Sequence, residues 1–134
     1  MQASLIDTDI LSMFLKGNKK VKANVNEYIS IHKNINFSII TYYEIVSGLR
    51  HRDANKQLDV FLKLASICTI LPLTIESSNK SASIYAHLRK KGTPVDDIDL
   101  LIAGIALENN MAVVTNNTSH FGRIEQLHVC NWSK

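Results

Sequence analysis

The sequence predicts a three-layer α/β/α domain built on a mainly parallel sheet of four or five strands. Two observations carry that prediction. Short apolar runs at residues 3–6, 35–40, 68–73 and 111–115 alternate with longer segments whose apolar residues recur at helical spacing. Such alternation implies crossover connections, a parallel sheet, and helices covering both of its faces. The run from Leu100 to Leu107 is apolar on every side, rich in Leu and Ala, and leads into Glu108. That pattern fits a helix buried on several sides rather than an alternating strand.

Taken in order, residues 3–6 form the first strand and end at Asp7. Asp7-Thr8-Asp9 then opens a helix carrying Ile10, Leu11, Met13, Phe14 and Leu15, with Gly17 as its stop signal. Residues 19–32 form a second helix with Val21, Val25, Tyr28 and Ile29 as its apolar stripe. Lys33-Asn34 makes a turn, and residues 35–40 are the second strand. A helix then carries Glu44, Ile45, Val46 and Leu49 and ends near Gly48 or Arg52. Residues 53–66 form another helix, with Leu58, Phe61, Leu62 and Ala65 on one face. A third strand closes at Pro72. The long helix over 74–91 is expected to face inward with Ala82, Tyr85, Ala86 and Leu88, its Arg89, Lys90 and Lys91 complementing the C-terminal dipole. The acid-headed helix follows Pro94, then a fourth strand near 111–115. A fifth is expected at 127–130, and Trp132 anchors the tail.

At 134 residues with 46% hydrophobic content the chain suits one domain, 1–134, with a real core. The net charge of +3 is compatible with a polyanionic partner without requiring one. Cys68 and Cys130 match no CxxC or Cys/His metal spacing and read as buried structural thiols of a reducing compartment. No basic segment precedes an apolar core at the N-terminus, and no apolar run reaches the ~20 residues of a membrane span. A cytoplasmic protein with no membrane association is the expectation.

Parallel sheets place their sites at the carboxyl ends of strands. Asp7 ends the first strand, Glu44 opens the helix after the second, and Asn116 and Asn117 follow the fourth. The helix headed by Asp96, Asp97 and Asp99 descends before that fourth strand ascends, so its acids reach the same edge. Carboxylates gathered in one place raise one another's pKa unless a cation compensates. Oxygen donors favour Mg²⁺ or Mn²⁺ over zinc, and a metal-activated water at an acidic rim suits phosphodiester hydrolysis. Each residue also has a local explanation. Asp7 can cap a helix, and Thr41-x-x-Glu44 matches a capping box. Asp9 reads as a dipole or solvent residue, Asp96 and Asp97 as caps or loop acids, and the two asparagines as turn residues. His51, His87 and His120 are isolated in sequence and read as surface or satisfied histidines. Only the ligand reading explains why these acids arrive at one edge.

LIDTDIL, SIITYYEIVSGL, GTPVDDIDLLIAGIAL and VVTNNTSHFGRIEQLHVCNW resemble, in order and over nearly the whole chain, the PIN-domain family, and in particular its VapC-type toxins. The resemblance implies a PIN-like α/β/α fold and a Mg²⁺- or Mn²⁺-dependent endoribonuclease. It also implies a small antitoxin protein as inhibitor and a homodimer, for which Met13, Phe14 and Phe61 are candidate interface residues. Carried over by motif, Asp7 and Asp99 are direct metal ligands and Glu44 binds metal or orients water. Asn117 stands where a further acid is common in the family, and the neutral amide weakens any second metal. Asp96-Asp97 departs from the family pattern and receives no role.

Lysines 16, 19, 20 and 22, the Arg50-His51-Arg52 run and residues 89–91 offer RNA-backbone contacts, although helix-surface solvation accounts for most such charges. Tyr42 and Tyr43 read as core and interface residues, with base stacking as the alternative. Two other functions are carried alongside. A non-catalytic RNA- or partner-binding module would explain the missing fourth acid. A phosphatase of the haloacid-dehalogenase type would use the Asp7-Thr8-Asp9 run, with Asp7 as nucleophile.

Overall fold

Strands β1 (Ser4–Ile6), β2 (Asn36–Ser38), β3 (Thr69–Leu71), β4 (Ala112–Val114) and β5 (Val129–Cys130) form one sheet in the order β3-β2-β1-β4-β5. Every neighbouring pair is parallel. The structure is a computed structural model and describes residues 1–134. The chain winds outward from β1 to β3, then returns to lay β4 on the other side of β1. The direction of winding therefore reverses between β1 and β4, where an open parallel sheet leaves a crevice at its carboxyl edge.

Helices α1 (Thr8–Leu15), α2 (Lys19–His32), α3 (Ile39–His51), α4 (Asn55–Ile67), α5 (Ile75–Lys91), α6 (Asp97–Glu108) and α7 (Thr118–Phe121) fill the connections. Successive strand residues point to opposite faces, and the core divides accordingly. Ile6 and Val114 pack with Ile10, Val21, Tyr28, Phe37 and Phe61 on one face. Leu5 and Val113 pack with Ile84, Leu88, Ile102 and Ile105 on the other. Trp132 closes the first cluster against Tyr28, with ring centroids 5.5 Å apart, so the expected tail anchor is present. No helix is long and apolar enough to cross a membrane.

Several expectations need correction. The second strand is shorter than the run at 35–40, because Ser38 caps α3 by accepting from the Thr41 amide at 3.1 Å. Thr41 therefore lies inside the helix, and no capping box joins it to Glu44. On α5 the inward face is Ser77, Ser81, Ile84 and Leu88, whereas Ala82, Tyr85 and Ala86 are exposed. Small hydroxyls win this face because Gly104 of α6 approaches so closely. A Cβ at Gly104 would collide with the Ser81 hydroxyl and the Ser77 carbonyl. Phe61 is fully buried and supplies no interface, and Cys130 is exposed rather than buried. The short helix α7 was absent from the predicted elements, since four residues carry too little periodicity to be seen.

Candidate active site

Asp7 follows β1 directly and caps α1, its Oδ1 accepting from the Thr8 amide at 2.8 Å. Capping does not use up the side chain. Oδ2 accepts from the Thr115 hydroxyl at 2.8 Å, across to the residue that follows β4. Thr115 is fully buried and Asp7 is 6% exposed. The Thr115 Oγ1 in turn accepts from the Asn117 amide at 2.9 Å. The Asn117 side chain donates to Asp99 Oδ2 at 3.3 Å and to His120 Nδ1 at 2.9 Å.

On the other flank the Thr8 hydroxyl donates to Glu44 Oε1 at 2.6 Å and lies 3.0 Å from the Thr41 hydroxyl. One hydroxyl carries one proton, and the carboxylate takes that of Thr8, so Thr41 donates to Thr8. One run of hydrogen bonds thus links Glu44, Asp7, Asn117 and Asp99 through two threonines. The four residues carried over by motif meet at the carboxyl edge of β1 and β4. Asn116 turns away, its Oδ1 accepting from Asn131 at 3.0 Å and Ser133 at 3.2 Å. Asp96 precedes α6 without a side-chain cap bond, and Asp97 is exposed.

Sequence reasoning missed several members. Asp9 is neither a solvent residue nor a simple dipole partner. Its Oδ2 accepts from the Asn116 amide at 3.0 Å and so ties the end of β4 to α1. The i, i+2 spacing from Asp7 was the available signal. His120 is not isolated: its Nδ1 stands 3.9 Å from Asp99 Oδ2. Thr8, Thr41 and Thr115 are the scaffold of the site, and of the three only Thr41 had a telling spacing, which pointed to a helix cap.

The electrostatics follow from burial. Burial pushes the Asp7 carboxyl up to about 7, helped by the Asp9 charge and opposed by the Thr115 and Thr8 hydrogen bonds. Burial also raises Asp9, against hydrogen bonds from the Ile10 and Asn116 amides. Asp99 is raised by burial and by Asp96, with His120 pulling the other way. No lysine or arginine pairs with any of these acids. The donor set is oxygen from carboxylates and an amide, which fits a hard divalent cation. As the side chains stand, no three His, Cys, Asp or Glu groups are close enough to hold a metal ion. In this arrangement Glu44 is hydrogen-bonded to Thr8 and Asp99 to Asn117.

A family model described as PIN domain matches residues 4–127. Ribonuclease VapC2 of Rickettsia felis is 31% identical over 97% of this chain and 98% of its own. The tRNA(fMet)-specific endonuclease VapC of Shigella flexneri is 29% identical over 96% of this chain and 97% of its own. Among solved structures, a chain of DNA-bound VapBC from Salmonella typhimurium superposes with a TM-score of 0.86 at 28% identity, covering 98% of this chain and 99% of that one.

Proposed function

Because this chain belongs to the PIN-domain family and is of the VapC type within it, we propose that Asp7, Glu44, Asp99 and Asn117 are its catalytic rim. The protein is a metal-dependent endoribonuclease, the toxin of a toxin–antitoxin pair. An antitoxin is its partner. The observation that carries the assignment is the continuous hydrogen-bonded run from Glu44 to Asp99, which gathers the acids of three separate segments at one edge of the sheet.

Asp7 and Asp99, with Glu44, would hold Mg²⁺ or Mn²⁺. When bound, such an ion stabilises charge on the phosphate in flight and lowers the pKa of the attacking water. The chain's own groups do the positioning. Thr115 fixes the Asp7 carboxylate, and Asn117 fixes Asp99 in one rotation about its own axis. Thr8 holds one oxygen of Glu44 and leaves the other free to orient the water or accept its proton. As a neutral amide, Asn117 adds a donor without adding to the charge that a single cation must offset. RNA is the substrate of this reading. The family match and the ribonuclease relatives leave the phosphatase reading without support.

The test is incubation of purified protein with total RNA, with and without Mg²⁺ or Mn²⁺. Discrete fragments are expected to require the metal, and Asp7→Asn or Asp99→Asn to lower cleavage by roughly 100-fold or more. Undiminished cleavage by both variants would refute the assignment. Binding of RNA without metal-dependent fragments would instead favour the non-catalytic module.

A further inference from the structure

A groove of about 480 Å³ runs from Glu44 and Thr8 between α1, α3 and α4. Its floor is apolar, formed by Leu15, Ile45 and Leu49 with the exposed Val60 at its side. Its walls carry Lys16 from just past α1, Arg52 from just past α3 and Lys56 from the start of α4. None of the three has an acidic partner. Three unpaired cations from three segments thus surround one apolar floor whose inner end is a member of the acidic rim. Gly48 keeps the groove open on the α3 side. The nearest atom to a Cβ placed there is Arg52 Nη1 at 3.8 Å, so the guanidinium lies beside the missing side chain.

We propose that this groove is a nucleotide subsite for the RNA strand next to the scissile phosphate. The base rests on the apolar floor, and the flanking phosphates meet Lys16, Arg52 and Lys56. The inference rests on the ribonuclease reading above and extends it to the path of the strand. The volume suits one nucleotide-sized ligand. The two flanks of the rim differ in charge. On the α6 side the exposed acids Asp96 and Asp97 stand before Asp99, offset by one cation, Arg123, which donates to the Pro94 carbonyl at 2.6 Å. On the groove side three free cations stand together, so the charge balance favours a polyanion in the groove.

The test measures binding of a fluorescein-labelled, 20-nucleotide single-stranded RNA of mixed sequence in EDTA, where cleavage does not enter. For Lys16→Ala/Arg52→Ala/Lys56→Ala, the slope of log affinity against log salt should fall in magnitude by about 2, and affinity near 0.1 M salt by ~100-fold. Gly48→Leu, in a helix interior that prefers Leu to Gly, should keep the melting temperature. It should weaken RNA binding roughly tenfold by filling the groove, with the slope unchanged. An unchanged slope in the triple variant overturns the proposal, as does undiminished affinity in Gly48→Leu. Variants that keep RNA affinity but escape inhibition by the antitoxin also overturn it, and give the groove to the protein partner. Asp99-dependent cleavage of total RNA by the wild type is measured separately, so failure of the subsite and failure of the nuclease reading remain distinguishable.

Discussion

Asp7 concentrates the cost of the site in one carboxyl group. Burial and the neighbouring Asp9 push it up to about 7 from the ordinary 3.8. Between those two values the folded chain keeps a proton that the unfolded chain has released. Its contribution to stability is therefore full below about pH 4 and is lost as pH rises through about 7. Metal-free protein should lose stability over that window. Asp7→Asn, which carries no charge and keeps the shape, should melt higher than the wild type at pH 8 and no higher at pH 4. Melting curves at the two pH values check this, and a difference that does not change with pH would contradict it. The same proton competes with a cation, so metal affinity should weaken as pH falls below about 7. None of this was visible in the sequence, which marks Asp7 as an acid after a strand but not how deeply Thr115 and the sheet bury it. Asp9 was harder to read still, because its partner, the Asn116 amide, lies 107 residues away.

Among the elements, the seam between α5 and α6 sets where Asp99 stands. Gly104 lets α6 press against Ser77 and Ser81, and the Ser81 hydroxyl donates to the Leu100 carbonyl at 2.7 Å, one residue from Asp99. Gly104→Ala places a methyl group against the Ser77 backbone, which cannot rotate away. Overpacking of this kind costs about 1–3 kcal/mol. The variant should melt several degrees lower and lose cleavage through displacement of Asp99, as thermal denaturation and the total-RNA assay would report together. A melting temperature at or above that of the wild type would mean that the seam is loose. Helical periodicity located α2 and α6 from sequence because long apolar stripes are unambiguous. It placed Leu88 on the inward face of α5 correctly but misassigned Ala82, Tyr85 and Ala86, because Ala and Tyr look apolar and Ser does not. The residues that fit that face do so by size, and size matters only once the partner helix is known. The start of α3 was misplaced for a related reason. Ser38 and Thr41 are both competent caps, and the short strand that ends at Ser38 decides between them.

At the scale of the molecule, the order β3-β2-β1-β4-β5 makes the site. By reversing its winding between β1 and β4, the chain brings Asp7, the α6 acids and the residues after β4 to one crevice, with Glu44 arriving from α3 alongside. The alternation of strands and helices made that convergence legible, since every parallel strand must deliver its carboxyl end to the same edge. The threonine bridges were not legible. Thr8 and Glu44 are 36 residues apart, and no local pattern marks them as partners. These bridges hold the acids near one another without drawing them into a closed set, and a bound cation is expected to complete the rim. Titration of purified protein with Mn²⁺ at pH 8, followed by the loss of free-ion paramagnetic resonance signal, tests it directly. The expected result is one site per chain, weakened at least tenfold in Asp7→Asn and in Asp99→Asn. Equal Mn²⁺ binding by the wild type and both variants would contradict it.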